Sequence, residues 1–136
     1  MKIGFIGLGN VGGKLAGSLL RNNFKLTVYD LDPKTMENLS SKGASISKNP
    51  KELTQDSDLI ITCLPSPKIC REVMESKDGV INGLSKNKIW LEMSTTDENE
   101  VKRIGKLVKQ KKAFALDGPV SGGCHRADTG NTVSYT

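Results

Sequence analysis

The first thirteen residues, Met1-Lys2-Ile3-Gly4-Phe5-Ile6-Gly7-Leu8-Gly9-Asn10-Val11-Gly12-Gly13, run a short apolar stretch straight into Gly-x-Gly-x-x-Gly. A buried strand ending at Gly7, a turn with no side chain at Gly9 and an amphipathic segment from Val11 form a strand-turn-helix unit. Such a unit presents backbone N–H groups at a helix start, where a pyrophosphate can sit. The start of the chain therefore calls for a βαβ architecture and outlines a nucleotide site.

The rest of the chain repeats the alternation. After Ile3–Ile6, the segment from Val11 to Asn22 puts Val11, Leu15 and Leu19 on one helical face, and Leu26-Thr27-Val28-Tyr29 reads as a second strand ending at Asp30. Asp32-Pro33, Asn49-Pro50 and Ser66-Pro67 each place a capping side chain before a proline at the first helical position, where a missing N–H costs nothing. The helix begun at Pro33 stops at Gly43, ahead of a short strand at 44–47; the one begun at Pro50 carries Glu52 as a small capping box. Leu59-Ile60-Ile61-Thr62-Cys63-Leu64 is an unbroken apolar run suited to a parallel strand covered on both faces. A fifth strand is expected over 89–93, a helix over 97–112 with acids in its first turn and lysines in its last, and a sixth strand over 113–116. The pattern predicts a Rossmann-type α/β fold, a doubly wound and mainly parallel sheet with helices on both faces. The end, Thr132-Val133-Ser134-Tyr135-Thr136, alternates as a half-buried strand does, which reads as a longer polypeptide cut short; an edge strand at a true C-terminus is the alternative.

Composition narrows the function classes. At 136 residues the chain is one domain by length, and no apolar stretch approaches the roughly 18 residues of a membrane span. With a strand signal from Ile3 there is no room for a leader ahead of the fold, so a cytoplasmic setting is expected. The net charge of +5 is spread along the chain except for Lys106, Lys109, Lys111 and Lys112, which close a predicted helix. Only 4% of residues are aromatic, leaving little to stack bases on, so nucleic acid is not an expected partner. Cys63, Cys70 and Cys124 form neither a disulfide framework nor a zinc pattern. Cys63 reads as core, and Cys124 beside His125 makes neither a catalytic triad nor a metal site.

Asp30 lies about 20 residues past the glycines, at the end of the second strand, where a ribose-binding acid belongs. Its carboxylate would accept from the adenosine ribose hydroxyls and repel a 2′-phosphate, which favours NAD over NADP. Leu31 supplies no cation, although Lys34 could soften the preference. The alternative is that Asp30 merely begins a turn, with Asp32 capping the helix.

With Gly7-Leu8-Gly9-Asn10-Val11-Gly12 at the front and Asp117-Gly118-Pro119-Val120-Ser121-Gly122-Gly123 behind the sixth strand, the chain resembles the β-hydroxyacid dehydrogenase family. That family includes 3-hydroxyisobutyrate dehydrogenase, tartronate semialdehyde reductase and 6-phosphogluconate dehydrogenase. The resemblance implies that Leu64-Pro65 and Ser94-Thr95, in loops after the fourth and fifth strands, touch the cofactor. It also implies that Ser121, Gly122 and Gly123 hold a substrate carboxylate. A hydroxyl and unobstructed backbone N–H groups suit that task. The implied cofactor residues are Gly7, Leu8, Gly9, Asn10, Val11, Gly12, Asp30, Leu64, Pro65 and Thr95.

Val11 stands where the family usually has methionine, and Asp97-Glu98-Asn99 replaces the usual proline; neither removes a donor that the cofactor needs. Cys124, His125 and Arg126 have no assigned role. The family's general acid/base is a lysine on a later helix, yet the last lysine here is Lys112, before the Ser-Gly-Gly segment. Proton donation is worth about 10² to 10⁴ in rate. The expectation is thus the cofactor-binding domain of an NAD(P)-dependent 3-hydroxy acid dehydrogenase or semialdehyde reductase, without the catalytic lysine or the helical C-terminal domain. The complete enzyme would act on a small 3-hydroxy acid as a homo-oligomer. A stand-alone dinucleotide sensor is the alternative. A methyltransferase would share glycine-rich loops but would leave Asp117 to Gly123 without a purpose.

Overall fold

A computed structural model of the chain describes residues 1–94 and 97–118, with the backbone of 120–121 and 133–134. Its elements follow in the order β1 Lys2–Ile6, α1 Asn10–Arg21, β2 Lys25–Tyr29, α2 Pro33–Ser40, β3 Ser45–Ile46, α3 Pro50–Gln55, β4 Leu59–Thr62, α4 Pro67–Glu75, β5 Ile89–Glu92, α5 Glu98–Gln110 and β6 Phe114–Asp117. Six strands pair in the order β3-β2-β1-β4-β5-β6, and every pairing is parallel. This is the doubly wound order of a dinucleotide-binding fold, with the reversal of winding between β1 and β4.

Alternation along each strand splits the core in two. Ile3 and Phe5 of β1 pack with Leu26, Val28 and Leu39 beneath α1 and α2. Ile6 turns to the other face, where Leu53 of α3, Met74 of α4 and Ile104 and Val108 of α5 enclose Trp90. Phe5, Trp90, Leu53 and Met74 are wholly buried, so both faces of the central strands are dry.

The expected helix starts are in place. Asp32 accepts from Lys34 N–H (3.0 Å), Asn49 from Glu52 N–H (2.8 Å), Ser66 from Ile69 N–H (3.3 Å) and Asp97 from Asn99 N–H (2.8 Å). Helix α1 differs, since Gly9 stands at its N-cap with no side chain to offer. On the surface Arg103 grips Glu75 of α4 (2.6 Å) and Glu100 of its own helix (2.9 Å), and these carboxylates tie α5 to its neighbour. The Arg103 hydrogen bonds hold the Glu75 carboxyl below its usual range. Such exposed pairs are worth about 1 kcal/mol or less each.

Three expectations change. The apolar run from Leu59 is a strand only as far as Thr62, because the chain turns away at Cys63. A 3-10 turn at Val80–Gly83, which no periodicity announced, packs Val80 into the core beneath α3. Val120–Ser121, expected in a loop, forms a two-residue strand β7 paired antiparallel with β8, Val133–Ser134, apart from the main sheet. The strand signal at 132–136 is thus met at 133–134, and its remaining residues lie outside the described ones.

Two glycines test this packing in opposite directions. A Cβ at Gly12 would lie 1.9 Å from the Gly7 carbonyl oxygen, so Gly12→Ala should cost roughly 1–3 kcal/mol. In mid-α5 a Cβ at Gly105 would meet only Ala115 Cβ at 3.7 Å, so Gly105→Ala should stabilise by about 0.5–1 kcal/mol. Urea midpoints moving in these directions at constant m-value would bear this out, and a Gly12→Ala chain as stable as the parent would refute it.

Candidate functional site

The carboxyl ends of β1 and β4 diverge around a cleft of about 580 Å³. Its floor is the glycine turn. Gly7 sits at φ +97°, and a Cβ there would lie 2.1 Å from the Cys63 carbonyl oxygen, so only glycine lets the ends of β1 and β4 come this close. Gly12 packs α1 against Gly7 in the same way. At Gly9, by contrast, an added Cβ meets nothing within 4 Å. Packing does not demand a glycine there, and the space above it belongs to the cleft.

The first intrahelical bond of α1 runs from Gly13 N–H to the Gly9 carbonyl (2.7 Å), so the N–H groups of Asn10, Val11 and Gly12 precede the helical ladder. They lie at the positive end of the helix dipole, where an anion is favoured. Asn10, Val11 and Gly12 line the cleft together with Gly7 and Gly9.

Asp30 occupies the rim, and its carboxylate has a task that the sequence did not reveal. Oδ2 accepts from Leu8 N–H (2.6 Å) and Oδ1 from Asp32 N–H (3.0 Å), so the acid clips the glycine turn to the end of β2. Gly7 N–H adds a bond to the Tyr29 carbonyl (3.1 Å). Leu8, named among the cofactor residues, therefore contributes its backbone to the loop, while its side chain is buried beneath α1.

The opposite wall carries Leu64 and Pro65, joined by Ile69 and Val73 of α4 and by Met93 and Ser94 after β5. Ile69 and Val73 are four apart on one helical face, a spacing that reads as core until α4 is placed at the cleft. Ile6, Tyr29, Leu31 and Cys63 complete the lining. Thr95, Gly122 and Gly123 lie outside the described residues, as do Cys124, His125 and Arg126; for Ser121 only the backbone, in β7, is described. Asp117 ends β6 at the same edge of the sheet, and burial, with Glu98 adding to it, raises its carboxyl above the ordinary value.

Beneath Ser94 lies a residue that sequence reasoning missed. Glu92 is fully buried at the end of β5 and accepts from Thr62, Cys70 and the Ser94 backbone. Burial and then the Glu92 charge push the Cys63 thiol up to about 11, and the same causes push Cys70 higher still. Cys63 is thus a half-buried member of the cleft wall rather than plain core. Among the described residues no cluster of His, Cys, Asp or Glu is arranged to hold a metal, and no helix is long and apolar enough to cross a membrane. Lys106, Lys109, Lys111 and Lys112 are exposed at and beyond the end of α5, remote from the cleft.

Residues 2–135 match the model of the NAD binding domain of 6-phosphogluconate dehydrogenase. The chain belongs to this family. It is 34% identical over 129 residues to mitochondrial 3-hydroxyisobutyrate dehydrogenase of Mus musculus, a match that covers 95% of the chain and 38% of the mouse protein. The 3-hydroxyisobutyrate dehydrogenase of Salmonella typhimurium superposes with a TM-score of 0.91 at 26% identity, over 98% of the chain and 47% of its own. Psf3, solved with NADP+ and 2-OPP, shares the fold with a TM-score of 0.93 at 23% identity, over 97% of the chain and 47% of its own. The chain spans about two fifths of the length of the curated relatives it matches. It is an NAD(P)-binding domain of the kind found in hydroxyacid dehydrogenases. The mouse relative is mitochondrial, so membership of the family does not itself assign a cytoplasmic location.

The raised Cys63 value sets its reactivity. At pH 8 about one thiol in a thousand is ionised, and the thiolate is the species that reacts. Alkylation by iodoacetamide, followed on the Cys63 peptide by mass spectrometry, should therefore climb about tenfold per unit from pH 7 to 10 without levelling. A plateau near pH 9 would show an ordinary thiol open to water.

Proposed function

We propose that the chain is the cofactor half of an NAD-dependent 3-hydroxy acid dehydrogenase or semialdehyde reductase, with the proton donor supplied from outside these residues. The observation that carries this reading is Gly9, since its missing side chain answers no need of the fold and leaves the start of α1 open to the cleft. A pyrophosphate lying there would receive the N–H groups of Asn10, Val11 and Gly12. The adenosine ribose would meet Asp30, whose oxygens each accept one backbone bond and retain a lone pair for a hydroxyl. Leu31, Leu64, Ile69 and Val73 offer an apolar wall for a flat base.

A bound nicotinamide would accept hydride from a hydroxyl carbon, or return it to a carbonyl. The chain's own part is to bind and orient. Thr95 is proposed for the nicotinamide end, and Ser121, Gly122 and Gly123 for the substrate carboxylate, on the family resemblance. NAD is favoured over NADP because Asp30 would repel a 2′-phosphate and Leu31 offers it no cation. The similarity to 3-hydroxyisobutyrate dehydrogenases supports a small 3-hydroxy acid as substrate of the complete enzyme.

Calorimetric titration with both cofactors tests the reading. NAD+ is expected to bind about tenfold or more tighter than NADP+, a difference of about 1.4 kcal/mol or more. Gly9→Ala should weaken binding by a similar factor, while costing no more than about 1 kcal/mol of fold as an N-cap change. Equal or tighter NADP+ binding would overturn the preference, and no binding of either would overturn the cofactor assignment. The chain alone should not oxidise 3-hydroxyisobutyrate; robust turnover would reveal a proton donor within it.

A further inference from the structure

Behind the cleft wall, Glu92 anchors a polar network in an otherwise apolar core. Thr62 Oγ1 (2.9 Å) and Cys70 Sγ (3.2 Å) donate to its Oε2, and Ser94 N–H (2.6 Å) donates to its Oε1. The three donors come from three elements: the end of β4, the second turn of α4 and the loop after β5. Trp90 Nε1–H donates to Thr62 Oγ1 (3.0 Å), which turns the Thr62 hydroxyl proton toward Glu92. Ser94 Oγ in turn accepts from Leu64 N–H (2.6 Å), joining the β5 loop to the β4 loop.

Packing alone does not explain a carboxyl here. A buried carboxyl costs several kcal/mol unless its oxygens are satisfied, and the surrounding cluster of Ile6, Ile60, Val73 and Trp90 would accept an apolar side chain. A leucine could fill the space but could not hold donors from three elements at fixed distances. Two ends of the network, Leu64 and Ser94, line the cleft itself.

We propose that Glu92 is a positioning residue for the dinucleotide, setting the β4 and β5 loops at the spacing that brings Leu64, Pro65 and Ser94 against the cofactor. The proposal rests on the cofactor reading above. Substitution by glutamine keeps the shape but leaves one accepting oxygen: with that oxygen on Ser94 N–H, the amide nitrogen meets Thr62 Oγ1 and Cys70 Sγ, whose hydrogens must turn away and give up both bonds to this side chain. Ser94→Ala cuts the network one link further out by removing the acceptor of Leu64 N–H.

The test is NAD+ titration by calorimetry of the full chain, Glu92→Gln, Ser94→Ala, the double variant and Val108→Ala, with a urea midpoint for each. Val108 is buried on α5 away from the cleft and serves as a purely structural control. Glu92→Gln and Ser94→Ala should each weaken NAD+ binding about fivefold to tenfold. The double variant should be little worse than the weaker single, because both act through one loop. Val108→Ala should lower the urea midpoint and leave affinity unchanged. If Glu92→Gln does not fold, Thr62→Val, which removes a donor to Glu92 behind the cleft lining, decides: unchanged affinity overturns the proposal, and a severalfold loss sustains it. Parent and variants binding alike overturns the proposal alone, whereas a parent that binds no dinucleotide overturns the cofactor reading and the proposal with it.

Discussion

Strand β1 is held between parallel partners, β2 on one side and β4 on the other, and the site depends on how closely the ends of β1 and β4 approach. A Cβ at Gly7 would stand 2.1 Å from a Cys63 backbone oxygen, so any side chain there would pry the two strands apart. From that junction the chain departs in opposite senses: α1 crosses one face of the sheet and α4 the other. A crevice at this divergence follows from right-handed crossovers on both sides.

The two walls of the crevice are secured by different means. On the β2 side a single carboxylate, Asp30, receives backbone N–H groups from the turn and from the start of the next helix. On the β4 and β5 side the tie is a hydrogen-bonded chain sunk in the core, from the side chains of Trp90, Thr62 and Glu92 to the Ser94 backbone N–H. Each includes a bond between residues more than twenty apart in sequence. The more visible ion pairs of Arg71 and Arg103 with Glu75 and Glu100 lie on the solvent side of α4 and α5, where water and salt leave them little to contribute.

That difference explains what could be read from the amino acids. Asp32, Asn49 and Ser66 announce their helices because capping is settled among neighbours two or three residues apart, and proline at the next position leaves few alternatives. The apolar run from Leu59 announces a central strand, but not that it yields at Cys63, since the turn there answers to Gly7 on another strand. Leu8 reads as a cofactor residue by its place in the motif, whereas its side chain turns into the core and only its amide belongs to the loop. Glu92 reads as one position within the expected strand over 89–93, and its three donors are apparent only once β4, α4 and the β5 loop stand together.

The clip between Asp30 and Leu8 N–H joins two properties that are often treated as separable. On the proposed reading, preference for one dinucleotide over another would reside in the charge of this residue, whereas the order of the glycine turn resides in its ability to accept a hydrogen bond. Deleting the acid to alter cofactor choice would loosen the glycine turn along with it. Asparagine would remove the charge and keep one oxygen for the Leu8 amide, but it would give up the bond from Asp32 N–H, which would then face the amide nitrogen.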